Sequence, residues 1–450
     1  MRWVPSPADG GRPRVWAAAA AAAALAAACG PAPAPGTPRG AGPSPPARAT
    51  AAQASPSARA LDAARAFVAE FAQRRFAQQW AELAPPARRS WPSAAARSAM
   101  LATKFALPAA RVVATQLGAP VPNVGWTSRE DPASTAVGWG VPVSVRFAGA
   151  GTLRPAGVGL LYRHLELVVV PGPAGRAFEV VGEGPASLDA PVVVPARAPA
   201  RTARVPILMY HRVGPYPTRA EWSSAYGYQL EVGLTVPPAQ FAAEMAYLRA
   251  HHAHAISLAR LADALLYGLP LPSGPVALTF DDGRLSPDRY AVPLLRRDGF
   301  TATFFMPSGF VGAINGPQHY LTASDLAGLT RQGFWVEDHT VYDNLPLWGL
   351  SAGQVGQLAG ASAARIERHS AAPIQFIAYS GPWPYPQAQT AGPQQTQLFR
   401  ELGRLGYVGG AVDAQVDGLV ETTRGLWQLP RLRVSPGETL AGFAQGLQQG

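Results

Sequence analysis

Val276-Ala277-Leu278-Thr279-Phe280-Asp281-Asp282-Gly283 runs from a short apolar stretch straight into two adjacent carboxylates and a glycine. The apolar part is strand-length, rich in β-formers and reads as a buried strand. Two acids at the end of a core strand cost desolvation and repel one another unless a cation or a proton resolves the conflict. Asp-Asp-Gly is also good turn and helix-capping chemistry, so the stretch alone leaves both readings open. Outward from it, strand-like segments at 206–210, 302–305, 334–336 and 376–379 alternate with helix-like segments at 238–251, 258–266, 290–298, 323–332, 353–369 and 397–403. Such alternation predicts an α/β fold with a parallel sheet, barrel or doubly wound, over residues 205–450, with its chemistry where strands end.

The preceding part reads differently. Leu61, Ala64, Phe67, Val68, Phe71, Phe76 and Trp80 recur at spacings that predict a helix with one buried face. Strand-like runs follow at 112–114, 141–147, 160–170 and 178–181, so residues 58–190 are expected to form a smaller α+β domain with an antiparallel sheet. This unit weakly resembles the NTF2-like domains, with no motif behind the likeness. His164 and Glu166 lie two apart on one expected strand, facing either a pocket or solvent. Residues 191–204 form a Pro/Ala/Arg linker, and residues 30–57, almost free of large apolar side chains, an extended tether.

At the N-terminus, Arg2, Arg12 and Arg14 precede an apolar run from Val15 to Ala28 that ends at Cys29, the single cysteine of the 450 residues. A charged region followed by a short apolar one predicts an export signal over residues 1–29. Ala26-Ala27-Ala28-Cys29 resembles a bacterial lipobox, although Leu25 stands one place early. The resemblance implies a lipid on Cys29 and an exported protein anchored to the cell membrane, facing outside; cleavage after a plain secretory signal is the alternative, and both export the chain. The net charge of +10 comes from arginines scattered among Ala, Gly and Pro, with Lys104 the only lysine. Without a basic block or a basic-aromatic stripe, nucleic acid is not an expected partner.

Five segments in order identify the C-terminal 245 or so residues as similar to polysaccharide deacetylases (carbohydrate esterase family 4-like). Thr279-Phe280-Asp281-Asp282-Gly283 with Ala302-Thr303-Phe304-Phe305 resembles the family's first motif, and Val205 to His211 its first strand. His339-Thr340-Val341-Tyr342 resembles the start of its His-Thr-x-x-His motif, Ala378-Tyr379-Ser380-Gly381 its aromatic-Pro-Ser-Gly turn without the proline, and Leu429 to Val434 its last strand. The resemblance implies an irregular (β/α) barrel and a metal-dependent hydrolase that removes N-acetyl groups from an extracellular or cell-wall polysaccharide. A non-catalytic carbohydrate binder on the same fold and an O-acetyl esterase are the alternatives.

By the same resemblance, Asp282 and His339 ligate the metal and Asp281 is the general base. Where the family places its second histidine this chain has Asp343. Asp282, His339 and Asp343 together suit a divalent ion, zinc foremost, though two carboxylates cancel its charge and weaken its polarising power. Asp343 either ligates in a working variant site, points away, or marks a dead site; Asn344 beside it offers a substitute oxygen. His211 is the expected general acid, or else a structural histidine bracing the pocket. The Tyr379 backbone N–H is the expected oxyanion donor. Arg431 either orients an active-site carboxylate or caps the fold, and Trp383 with Tyr385 forms either a sugar-stacking rim or a packed loop.

Overall fold

A computed structural model describes residues 55–449, apart from 90, 106–110, 129–133, 148–161, 173–177, 184–200, 344–346, 348, 371, 381–392, 414–419 and 423–424. The expected signal, Cys29 and most of the tether therefore lie outside the described residues, as does most of the expected linker. Helix α1 (Pro56–Ala72) starts where the Ser55 side chain accepts from the Ala58 N–H and Pro56 takes the first turn, which needs no donor. It buries Ala60, Ala64, Phe67, Val68 and Phe71. The single helix expected through Trp80 is broken: Arg74 is left-handed (φ 59°) and α2 (Phe76–Ala81) starts beyond it. No glycine or proline announces this break. Arg75 spans it by clasping Glu70 at 2.5 and 2.8 Å.

Five strands follow: β1 (Val112–Leu117), β2 (Val121–Thr127), β3 (Thr135–Phe147), β4 (Tyr162–Pro171) and β5 (Phe178–Glu183). All pair antiparallel, with β1 and β2 sharing the long β3 on one side and β4 then β5 on the other. Strand β2 was not anticipated, because Pro122 and Gly125 read as strand breakers. Val141, Val143, Val145, Leu167 and Val169 are buried in one cluster with the apolar face of α1.

The second sheet is built from β6 (Ile207–Tyr210), β7 (His254–Ala255), β8 (Pro275–Phe280), β9 (Thr303–Met306), β10 (Trp335–Asp338), β11 (Phe376–Ala378), β12 (Gly409–Ala411) and β13 (Leu432–Arg433). Its order is β12-β11-β10-β9-β8-β6-β13, with β7 also on β8, and every pairing is parallel. Leu429, just ahead of β13, accepts from the Val412 N–H at 3.0 Å and donates to the Gly410 carbonyl at 2.8 Å. That contact brings the two edges of the sheet together into an irregular (β/α) barrel. Phe280 stacks between Tyr210 and Phe304, at 5.4 and 4.9 Å between ring centres, and so locks three neighbouring strands.

The helices fall close to their expected places, for example Pro238–Ala250, Leu258–Tyr267 and Ala323–Arg331. The helix expected over 353–369 is interrupted by a π-helical turn at Gly356–Gly360. Thr202–Arg204, expected in the linker, is instead a short strand antiparallel to Val420–Thr422. Helix Leu258–Tyr267 packs against helix Ala94–Lys104, and one apolar cluster joins Phe67, Leu101 and Val143 to Ile207, Leu261 and Phe376.

Candidate active site

His211, Asp281, His339 and Tyr379 each stand one residue past the C-terminal end of a barrel strand: β6, β8, β10 and β11 respectively. Parallel strands end together, so four segments remote in sequence deliver their side chains to one rim.

The adjacent acids separate at once. Asp282 is left-handed (φ 70°), as is Gly283 (φ 61°). A Cβ on Gly283 would stand 2.2 Å from Met306 Sδ, so any larger residue would have to displace that side chain at a φ that favours glycine. Asp281 accepts from both ends of one guanidinium: Arg431 Nη1 at 2.7 Å and Nη2 at 2.8 Å. Arg431 is itself buried, with Nε donating to the Val412 carbonyl at 3.1 Å. Burial, the largest single influence, works against the Asp281 carboxylate, but Arg431 with His339 and His211 together outweigh it and hold the group below the ordinary aspartate range. Arg431 thus fixes the orientation of the Asp281 carboxylate. Asp282 turns the other way. One of its oxygens accepts from Arg212 Nη1, and the other lies 3.5 Å from His339 Nε2. Burial again opposes the charge, and Arg212 and His339 overcome it, keeping Asp282 well below the ordinary range.

His339 has a defined tautomer. Its Nδ1 lies 2.8 Å from the Ala378 carbonyl, which can only accept, so the ring proton sits on Nδ1 and Nε2 faces the carboxylates. Thr340 next to it is left-handed (φ 65°), a strained state for a β-branched residue. It is held by its Oγ1 donating to the Tyr342 carbonyl at 2.8 Å and by Ser362 Oγ donating to the Thr340 carbonyl at 2.8 Å. The turn brings Asp343 Oδ1 back to 3.1 Å from His339 Nε2. Burial of His339 is overridden by its contacts with Asp282 and Asp343, which raise its pKa well above the usual value. Burial and the Asp282 charge raise Asp343, with His339 opposing.

One ligating atom from each of Asp282, His339 and Asp343 lies within 4.8 Å of the other two. Two carboxylates and an imidazole whose Nε2 points between them fit a divalent ion. Asn344 lies outside the described residues, and so do Trp383 and Tyr385.

His211 is half-buried, and burial pushes its pKa down to about 4 against the pull of Asp282 and Asp281. It is therefore neutral at pH 7. Tyr379 corrects an expectation: its N–H donates to the Ala411 carbonyl at 3.0 Å as part of the β11–β12 ladder. A donor spent on a sheet hydrogen bond is not available to an oxyanion. Its phenol is buried too, donating to the Trp427 carbonyl at 3.0 Å.

Sequence reasoning missed Arg212, Glu231 and Arg284. Glu231 lies 3.1 Å from Arg212 Nη2 and 2.8 Å from Arg284 Nη2, all three side chains being nearly enclosed. The available signal was position: Arg212 directly follows His211 and Arg284 directly follows Gly283, each at a strand end.

Residues 269–385 match the family profile described as polysaccharide deacetylase. That segment holds Asp281, Asp282, His339, Asp343 and Tyr379, while His211 and Arg431 lie outside it. A Bacillus subtilis protein named as a candidate polysaccharide deacetylase, YxkH, is 27% identical over 244 residues, 54% of this chain and 76% of that protein. Among solved structures, the Streptococcus pyogenes deacetylase PplD is 21% identical, with a TM-score of 0.45, over 55% of this chain and 99% of that one. The Bacillus cereus polysaccharide deacetylase BC0361 is 19% identical, with a TM-score of 0.42, over 63% of this chain and 77% of that one.

Proposed function

We propose, from the premise that the C-terminal region carries a polysaccharide deacetylase domain, that the chain hydrolyses acetamide groups on an N-acetylated polysaccharide outside the cell. The observation that carries this reading is the Asp282, His339 and Asp343 set beside an Arg431-clamped Asp281 on one barrel rim. These three residues would hold a divalent ion, zinc suiting both ligand types. Such an ion, when bound, polarises a carbonyl and acidifies water. Asp281, ionised at neutral pH and fixed in orientation by Arg431, is the base that accepts a proton. His211, neutral at rest, acts as the acid for the departing amine only after it has itself gained a proton.

That neutrality favours a second reading, hydrolysis of O-acetyl esters, whose leaving group needs less protonation. The test is acetate release from N-acetylated chito-oligosaccharides and from an O-acetylated oligosaccharide, each with and without chelator. Chelator-sensitive release from the first supports the amide reading, and release from the second alone selects the esterase. No release from either overturns both. The arginine-flanked apolar run, Cys29 and the tether after it support export and lipid anchoring. Labelled palmitate should enter the wild-type protein in bacterial cells and not Cys29→Ser.

A further inference from the structure

A cavity of about 500 Å³ adjoins the site, between the segment that follows β6 and the segment that follows β8. Arg212, Arg284 and Arg289 line it, together with the rings of Tyr216, Trp222 and Tyr290. The acids on its walls are Glu221 and Glu231, and both are engaged. Glu231 spans Arg212 and Arg284, and Glu221 accepts from the Thr218 N–H at 3.4 Å. Among the described residues, three buried polar atoms of this wall find no partner: Arg284 Nε, Trp222 Nε1 and Ser286 Oγ. The first two can only donate, so an occupant that brings acceptors would satisfy them. The Arg284 side chain is only 4% exposed, so its unmet donor is a costly one. Arg212 connects the cavity to the cleavage site directly, with one nitrogen on Asp282 and another on Glu231.

We propose that this cavity is a subsite for a sugar carrying an anionic substituent, a carboxylate or a phosphate, on the same polymer whose acetamide is cleaved. The proposal rests on the deacetylase reading for the polymer and on the cavity alone for the anion. Exposed Tyr216 and Tyr290 supply apolar faces for a pyranose ring, and the guanidiniums together with the unmet donors supply what an oxyanion accepts.

The full chain is titrated calorimetrically with three probes. These are a tetrasaccharide alternating glucuronate and N-acetylglucosamine, its carboxyl-reduced neutral counterpart, and N-acetylchitotetraose phosphorylated at O6. At low salt at least one anionic probe should bind about tenfold more tightly than the neutral one, with the advantage shrinking as salt rises. Whether glucuronate or phosphate binds better identifies the source of the charge. Arg289→Gln, at an exposed position, should cut the advantage by at least about threefold. Equal affinity for charged and neutral probes, no binding at all, or an advantage untouched by Arg289→Gln overturns the proposal. Acetate release is measured in parallel. Charge-selective binding with no release from any probe leaves the subsite standing and sinks the deacetylase reading, whereas release without charge preference does the reverse.

Discussion

Replacing Arg431 with methionine removes both hydrogen bonds to Asp281 at a place where both side chains are almost fully enclosed: Arg431 is 0% and Asp281 4% exposed. Breaking a buried pair by deleting one partner costs about 3–5 kcal/mol, because the remaining charge stays desolvated and unmatched. The sign of the pH effect follows. In the wild type the Asp281 pKa lies below its unfolded value, so its stabilisation is present above the unfolded value and is lost as pH falls through the folded one. In Arg431→Met burial, the largest single influence, is opposed only by the charges of His339 and His211, and the shift should reverse: the ionised form becomes the destabilised one, and stability falls as pH rises through the raised value. Denaturant unfolding at several pH values should show both the loss and this inverted slope. In the activity assay, the acid limb of kcat/KM should move to higher pH, since the base stays protonated longer. The double variant Arg431→Met/Asp281→Asn should cost less than the sum of its singles by roughly 1–3 kcal/mol. If Arg431→Met fails to fold, Arg431→Lys keeps the charge without the fork and should show a smaller loss in the same direction. Stability within about 0.5 kcal/mol of wild type, or additive singles, would refute the account of Asp281 as a carboxylate held ionised by its arginine.

Asp343→His should retain metal uptake, measured by elemental analysis after dialysis, and shift the pH-rate profile to lower pH, because one fewer carboxylate leaves more positive charge on the centre. An unchanged profile would place Asp343 outside the ligand set. Glu244, hydrogen-bonded to Tyr210 and Gln240, has its pKa raised by burial to about 7. The native state therefore binds the extra proton, and stability should fall between about pH 5 and 7 at up to about 1.4 kcal/mol per pH unit. Glu244→Gln should flatten that slope, and a slope equal to wild type would show that another group causes it. Gly283→Ala puts a Cβ 2.2 Å from Met306 Sδ at a φ of 61°, so about 1–3 kcal/mol of stability should be lost. Metal affinity should fall with it, and an alanine variant that unfolds and binds metal like wild type would contradict the assigned turn.

Five barrel strands were legible because buried parallel strands are short apolar runs, and four of them are followed directly by His211, Asp281, His339 and Tyr379; the two-residue β7 and the glycine-rich β12 carry no such run and were not anticipated. Tyr379 shows the limit of that reading. Its position at a strand end suggested a free N–H, but whether the donor is free depends on how far β12 extends alongside, and only pairing reveals that. The break after α1 escaped detection because Gln73, Arg74 and Arg75 are all acceptable helix residues. Glu231 was invisible for a different reason: nothing in the run from Ala225 to Gly233 hints that it will meet two arginines from distant strand ends. Periodicity reports which face is buried and not which charges meet across a fold.

The bond from His339 Nδ1 to the Ala378 carbonyl ties two neighbouring strand ends together through an imidazole, and it also gives the protein an internal spectroscopic reporter. A ring N–H whose nitrogen lies 2.8 Å from its acceptor oxygen in a buried place exchanges slowly with solvent. In a magnetic-resonance spectrum it stands apart from the amide envelope, and its resonance follows the electron density on the opposite nitrogen. Occupancy of the centre, and the identity of the residue at position 343, can therefore be read from a single line without any substrate.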